Sequence, residues 1–191
     1  MGAPGPGFKP FQMLPDGIGL AGNWSDVDVE DMDHVFKSFL TDKMIGNFVT
    51  ATYNFAVLTR IKDWKPMPVD EFFAFLGIVL HLGIVTYPTR SHVWDAGFTG
   101  SRYVRSIMSK PRFEQILHAW HYTDYSDYTD EEIKANKAAD PFWAVRAFTK
   151  ALAEQCQRIY NPPMMLGIDE QTIPWKGRHK CRCYNPKKCS L

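Results

Sequence analysis

Cysteine is scarce in this sequence: four residues in 191 are too few for a disulfide framework. Three of the four, Cys181, Cys183 and Cys189, crowd into the last eleven residues. No hydrophobic run is long. The most apolar stretch, Phe72 to Val85, is 14 residues, short of the roughly 20 that cross a bilayer, so a membrane span is not expected. The first residues lack a basic patch followed by an apolar run, so no secretory leader is expected and the chain reads as intracellular and soluble. Repeats at the common solenoid periods are absent. Net charge is nearly absent too, at +1, and it therefore points to no partner.

The distribution of charge says more. Residues 171–191 carry six cations and no acid, while the other 170 residues hold 16 basic and 21 acidic groups. Aromatics make up 14% of the chain, enough to fill a sizeable core and to exclude a disordered polypeptide. Ten of the first 22 residues are Gly or Pro, which predicts a flexible or extended arm.

From Trp24 onward the signals are helical. Ser25 can cap a helix whose first turns carry Asp26, Asp28, Glu30, Asp31 and Asp33, a solvated helix start or a cluster for a metal or basic partner. A second helix is predicted from Asp42 to Leu58. The third, from Val69 to Val85, is apolar nearly all round and is expected at the centre of the core, so that a charge at Ile78 or Leu80 would be severe. Pro111 sits in the first turn of a fourth, after Ser109, with Phe113, Ile116, Leu117 and Trp120 on one face. Residues 122–140 read as a polar loop or short irregular helix. Asp140 and Pro141 open the last helix, whose stripe is Val145, Phe148, Leu152, Cys156 and Ile159, and Asn161, Pro162 and Pro163 stop it. Met164 to Ile168 then reads as a buried strand ending in Asp169 and Glu170.

A carboxylate after an apolar strand is a place for a reactive group, but many strands end in Asp, and adjacent acids on a strand face opposite ways. Lys176, Arg178, Lys180 and Arg182 alternate, which puts four cations on one face of an extended segment. Such a ladder suits a phosphate backbone; equally, it suits an edge strand kept soluble by charge. Cys181, Cys183, Cys189 and His179 lack the paired spacing of structural zinc sites. His118 and His121 lie one helical turn apart with no third ligand evident, as core or surface histidines would.

The segment GIDEQTIPWKGRHKCRCYNPKK resembles the region around the first catalytic aspartate of the piggyBac transposase family. VDEFFAFLGIVLHLGIVTYP and SKPRFEQILHAWHYTD are similar to two helices of that family, in the same order. Thr52, Phe55 and Ala56 fit a further pattern, although Tyr53 stands where Asn is usual. The resemblance spans roughly residues 35–188. It implies a mainly α chain: a helical dimerisation and DNA-binding region, followed by the first strand or strands of a truncated RNase H-like α/β domain.

The expected organisation is a Gly/Pro-rich arm over residues 1–23, a helical region over 24–163, and the start of the catalytic domain over 164–191. Asp169 matches the first of three family aspartates that hold Mg²⁺ for cut-and-paste DNA transposition. The other two lie far downstream in the family, so the expectation is a catalytically incomplete fragment with no metal of its own. The alternative is a domesticated DNA-binding or protein-interaction module. DNA, weakly held through Lys176, Arg178, Lys180 and Arg182, is the expected partner; a homodimer is allowed, a membrane is not, and the location is nuclear.

Overall fold

The computed structural model describes residues 19–20 and 30–167. Among them run β1 (Gly19–Leu20), α1 (Met32–Ser38), α2 (Asp42–Leu58), α3 (Val69–Ile84), α4 (Arg102–Ile107), α5 (Lys110–Ala119), α6 (Asp130–Ala139), α7 (Trp143–Ile159) and β2 (Tyr160–Asn161), with 3-10 turns at Arg90–Trp94 and Tyr125–Asp127. The described residues are thus mainly helical, as expected. The chain divides into two compact units, one over residues 40–149 and one combining residues 1–39 with 150–191.

The unit over residues 40–149 is built on an aromatic core. α2 starts where the Thr41 hydroxyl accepts the Met44 N–H, and it buries Met44, Ile45, Phe48, Ala51, Thr52 and Ala56 along one stripe. Trp120, just past α5, is the hub: its ring stacks on Phe48 at 4.6 Å and packs on Phe75 at 4.7 Å and Phe72 at 5.6 Å. Phe113 joins from α5 at 5.0 Å from Phe75, and Phe148 joins at 5.1 Å from Phe48. Each such ring contributes roughly 2–3 kcal/mol by leaving water.

The structure corrects the picture of α3 as apolar on every side and central. Phe72, Phe75 and Ile78 are buried, Ile78 to 1% exposure, but Leu80 is 50% and Ile84 83% exposed. One stripe enters the core while the opposite face of the last two turns meets solvent. A charge at Leu80 therefore meets water, contrary to expectation, and only Ile78 is sensitive. Residues 122–140 also differ from expectation. α6 is a regular helix, fixed by a capping box in which Thr129 accepts the Glu132 N–H at 3.3 Å and Glu132 accepts the Thr129 N–H at 2.8 Å.

In the other unit, α1 is capped by Asp31, whose carboxylate accepts the Asp33 and His34 N–H groups; Ser25, the expected cap, lies outside the described residues. The buried register of α7 falls on Gln155 and Ile159, while Cys156 is exposed. Gln155 donates to the Ser38 carbonyl at 3.0 Å, which satisfies a polar group at a position that one more step along the helix would leave in solvent. The helix stops as predicted before Pro162, but Tyr160 and Asn161 pair antiparallel with Leu20 and Gly19, so the Gly/Pro-rich arm supplies one short strand. Gly19 holds φ at +112°, open only to glycine without strain. Met164, Met165 and Leu166 are exposed and in neither helix nor strand, unlike the buried strand expected there. The two prolines before them withhold backbone donors from any ladder.

Candidate nucleic-acid interface

Asp169, the candidate catalytic and metal-binding residue, lies outside the described residues, as do Lys176, Arg178, Lys180, Arg182, His179 and the three clustered cysteines. Among the described residues no group of three or more His, Cys, Asp or Glu gathers closely enough to hold a metal ion. Asp26 and Asp28 of the acidic helix start also lie outside, and Asp31 and Asp33 serve the local structure of α1, Asp33 pairing with Lys37 at 2.6 Å.

A second basic feature lies within the described residues. Residues 86–112 hold five cations (Arg90, Arg102, Arg105, Lys110 and Arg112) against one acid, Asp95. Sequence reading missed it because the cations are spread through 27 residues with ordinary polar neighbours, whereas the C-terminal ladder packs four into seven.

The segment is tied down at both ends. Trp94 donates its indole N–H to the Met108 carbonyl at 2.9 Å and packs on Phe113 at 5.0 Å. The Ser101 N–H reaches the Val93 carbonyl at 2.8 Å, and the Arg105 guanidinium donates to the Asp95 carbonyl. Arg90 and Arg102 remain exposed, as does their neighbour Tyr103 at 69%, while the hydroxyls of Thr89 and Ser106 are engaged with His92 Nδ1 and the Tyr103 carbonyl, each at 2.7 Å. Exposed cations with an aromatic neighbour are among the side chains that contact phosphate and sugar.

Arg112 has a different task. Its Nε and Nη2 donate to Glu71 at 2.8 and 2.6 Å, Nη2 also reaches the Lys65 carbonyl at 3.0 Å, and its guanidinium lies 4.7 Å from the Trp64 ring centroid. This bidentate pair joins α5 to the start of α3 and to the connection before it. Both partners belong to segments that carry the family resemblance, as do Thr52 and Phe55. Thr52, fully buried, bonds the backbone of His121 on both sides, at 3.3 Å to its carbonyl and 3.4 Å from its N–H. Phe55 stacks on the His121 ring at 3.7 Å. The shared motifs among the described residues are thus joints of the scaffold.

His121 itself is held by the core. Burial lowers its pKa, offset in part by the hydrogen bond from Nδ1 to the Ala119 carbonyl, with Lys137 and His118 lowering it further. Asp124 next to it is pushed up by burial, but the hydroxyl and N–H of Ser126 and the Asn54 amide together hold it below the usual carboxylate range.

Comparison with known proteins agrees with the resemblance read in the sequence. The family described as Transposase IS4 matches residues 31–190. Human piggyBac transposable element-derived protein 3 is 28% identical over 149 residues, covering 78% of this chain and 23% of its own length. Human piggyBac transposable element-derived protein 5 is 22% identical over 143 residues, covering 72% of this chain and 26% of its own. The chain thus spans about a quarter of the length of the curated relatives it matches. Among solved structures, a piggyBac transposase in a synaptic complex with hairpin DNA superposes with a TM-score of 0.74 and 26% identity, over 90% of this chain and 35% of the transposase chain.

Proposed function

Because the chain belongs to the Transposase IS4 family, on its piggyBac side, we propose that it provides the helical, DNA-holding part of a piggyBac-type transposase. The observation that carries this reading is the superposition of 90% of the chain on a transposase from a complex with hairpin DNA. The exposed cations of residues 86–112 supply the chemistry a phosphate backbone needs, and Lys176, Arg178, Lys180 and Arg182 add a second set of contacts. Asp169 matches the first carboxylate of the RNase H-like site that serves cut-and-paste transposition in full-length members of the family. Mg²⁺ held by such carboxylates would stabilise the attacking and leaving oxygens of strand transfer. The site of action is the nucleus, and a homodimer is the assembly proposed.

The test is binding of the purified chain to labelled duplex DNA by fluorescence anisotropy across a salt series. Each phosphate neutralised releases counterions, so four tail contacts alone give a log–log slope of about −3 to −4. Replacing Lys176, Arg178, Lys180 and Arg182 by Gln should weaken binding and flatten that slope. Unchanged binding with increased aggregation would assign those four cations to protection of a strand edge, and no binding at low salt would overturn the reading.

A second reading is favoured by the names of the curated relatives, both transposable element-derived proteins: a domesticated DNA-binding or protein-interaction module. Both readings expect this chain to bind plasmid DNA without nicking it in Mg²⁺ or Mn²⁺, and nicking abolished by Asp169→Ala would overturn both. Adding the chain to a full piggyBac-type transposase on its DNA separates them: addition without effect on strand cleavage supports the module.

A further inference from the structure

Within the basic segment of residues 86–112, between Arg90 and Arg102, the chain makes a tight loop, Asp95 to Ser101, with an aromatic ring at its tip. The Gly100 N–H bonds the Gly97 carbonyl at 3.3 Å, so Gly97 to Gly100 form a β-turn with Phe98 at its second position. Phe98 is fully exposed, touching nothing that would shield it from water. A lone exposed apolar residue is ordinary on a protein surface. What sets Phe98 apart is its mounting.

The base of the loop is clamped by the Ser101 N–H on the Val93 carbonyl, by Arg105 on the Asp95 carbonyl, and by the buried side chains of Val93 and Val104 beneath. Gly100 is required there, since a Cβ would collide with the Asp95 carbonyl and crowd the Arg105 guanidinium. The ring is therefore presented from a fixed stem, with Arg90 on the turn before it and Arg102 on the helix after it.

We propose that Phe98 is a stacking platform for an unpaired base, with the flanking arginines holding the phosphates on either side of that nucleotide. The inference rests on the DNA-binding reading above and assigns a role to a residue that reading leaves out. A π-face flanked by cations is the combination that single-stranded nucleic acid uses, because every base offers a face to stack and every linkage a phosphate to neutralise. An unpaired base is favoured over a paired one because a ring wedged into intact duplex must first unstack it, whereas an unpaired nucleotide has a face already free.

The experiment compares two probes of the same stem sequence, a fully paired duplex and a hairpin with 2-aminopurine in its unpaired loop, titrated with the full 191-residue chain. Wild type should bind the hairpin more tightly and change the 2-aminopurine fluorescence. Phe98→Ala should lose between about 5- and 150-fold in hairpin affinity with duplex affinity unchanged, and Phe98→Trp should restore it. If Phe98→Ala binds both probes like wild type, or weakens both equally, the stacking role is overturned while the DNA-binding reading stands. If wild type binds neither probe, the DNA-binding reading falls and the stacking role with it.

Discussion

Residues 86–112 and 122–140 flank the same helix, α5, and differ in what they do with their charge. The first holds five cations and one acid; the second holds six acids (Asp124, Asp127, Asp130, Glu131, Glu132 and Asp140) and two cations. Half of those acids are consumed locally. Asp124 binds Asn54 and Ser126, Glu132 closes the capping box of α6, and Asp140 caps the turn at Phe142 and pairs with Arg146 at 2.7 Å. Of the cations, Arg112 is committed to Glu71 and Arg105 to a backbone carbonyl, while Arg90 and Arg102 stay in solvent. The acidic segment organises itself; the basic segment keeps charge available. A net charge of +1 conceals both.

Both segments hang from one core, and losing it removes the contrast altogether. Ile78→Asp buries an unpaired carboxylate and should cost more than about 4 kcal/mol in urea unfolding, whereas Leu80→Asp on the solvent face should stay within about 1 kcal/mol. The next largest effect is expected at Arg112, the committed cation of the basic segment. Arg112→Met strands the mostly buried Glu71 carboxylate and the Lys65 carbonyl, for a loss of about 3 kcal/mol, and Arg112→Met with Glu71→Leu should recover part of it. On the acidic side, Thr129→Val removes a cap and should cost about 1 kcal/mol, while Asp127→Asn, at an exposed acid outside the capping box, should change stability by less than about 0.5 kcal/mol.

The smallest effect is a dependence on pH. The folded pKa of His121 lies below its unfolded value of 6.5, so the unfolded chain binds the proton first. Its contribution to stability is present above 6.5 and is lost as pH falls from there through the folded pKa. His121→Phe, which keeps a ring against Phe55, should flatten urea-unfolding stability between about pH 7 and 5. Asp124, held low, acts further down: its contribution is lost only as pH falls below the unfolded value near 4.

Much of the fold is legible in the sequence, and the exceptions share a cause. α2 runs from Asp42 to Leu58 as its apolar pattern predicts, and α5 opens after Ser109 with Pro111 in its first turn. α6 escaped because Ala, Lys and Asn give it little apolar periodicity; its signal was the Thr129–Glu132 capping pair. On α7, hydrophobicity favoured Cys156 for burial, but a long-range hydrogen bond to Ser38 takes Gln155 in its place. The apolar far side of α3 could not be told from a core-facing one, since composition does not say which face has a neighbour. The candidate site divides likewise. The ladder at Lys176 to Arg182 is conspicuous in sequence and lies outside the described residues, while Arg90, Arg102 and Phe98 are scattered in sequence, and the bond of the Ser101 N–H to the Val93 carbonyl is what shows that the segments on either side of the Phe98 loop meet.

The most direct test is the salt dependence of duplex binding for the full chain and for Arg90→Gln/Arg102→Gln/Lys110→Gln. If the basic segment holds phosphates, the triple variant binds more weakly and its log–log slope flattens by about 2 to 3, while Asp127→Asn/Glu131→Gln leaves the slope as it was. An unchanged slope in the triple variant, with binding intact, would contradict the account.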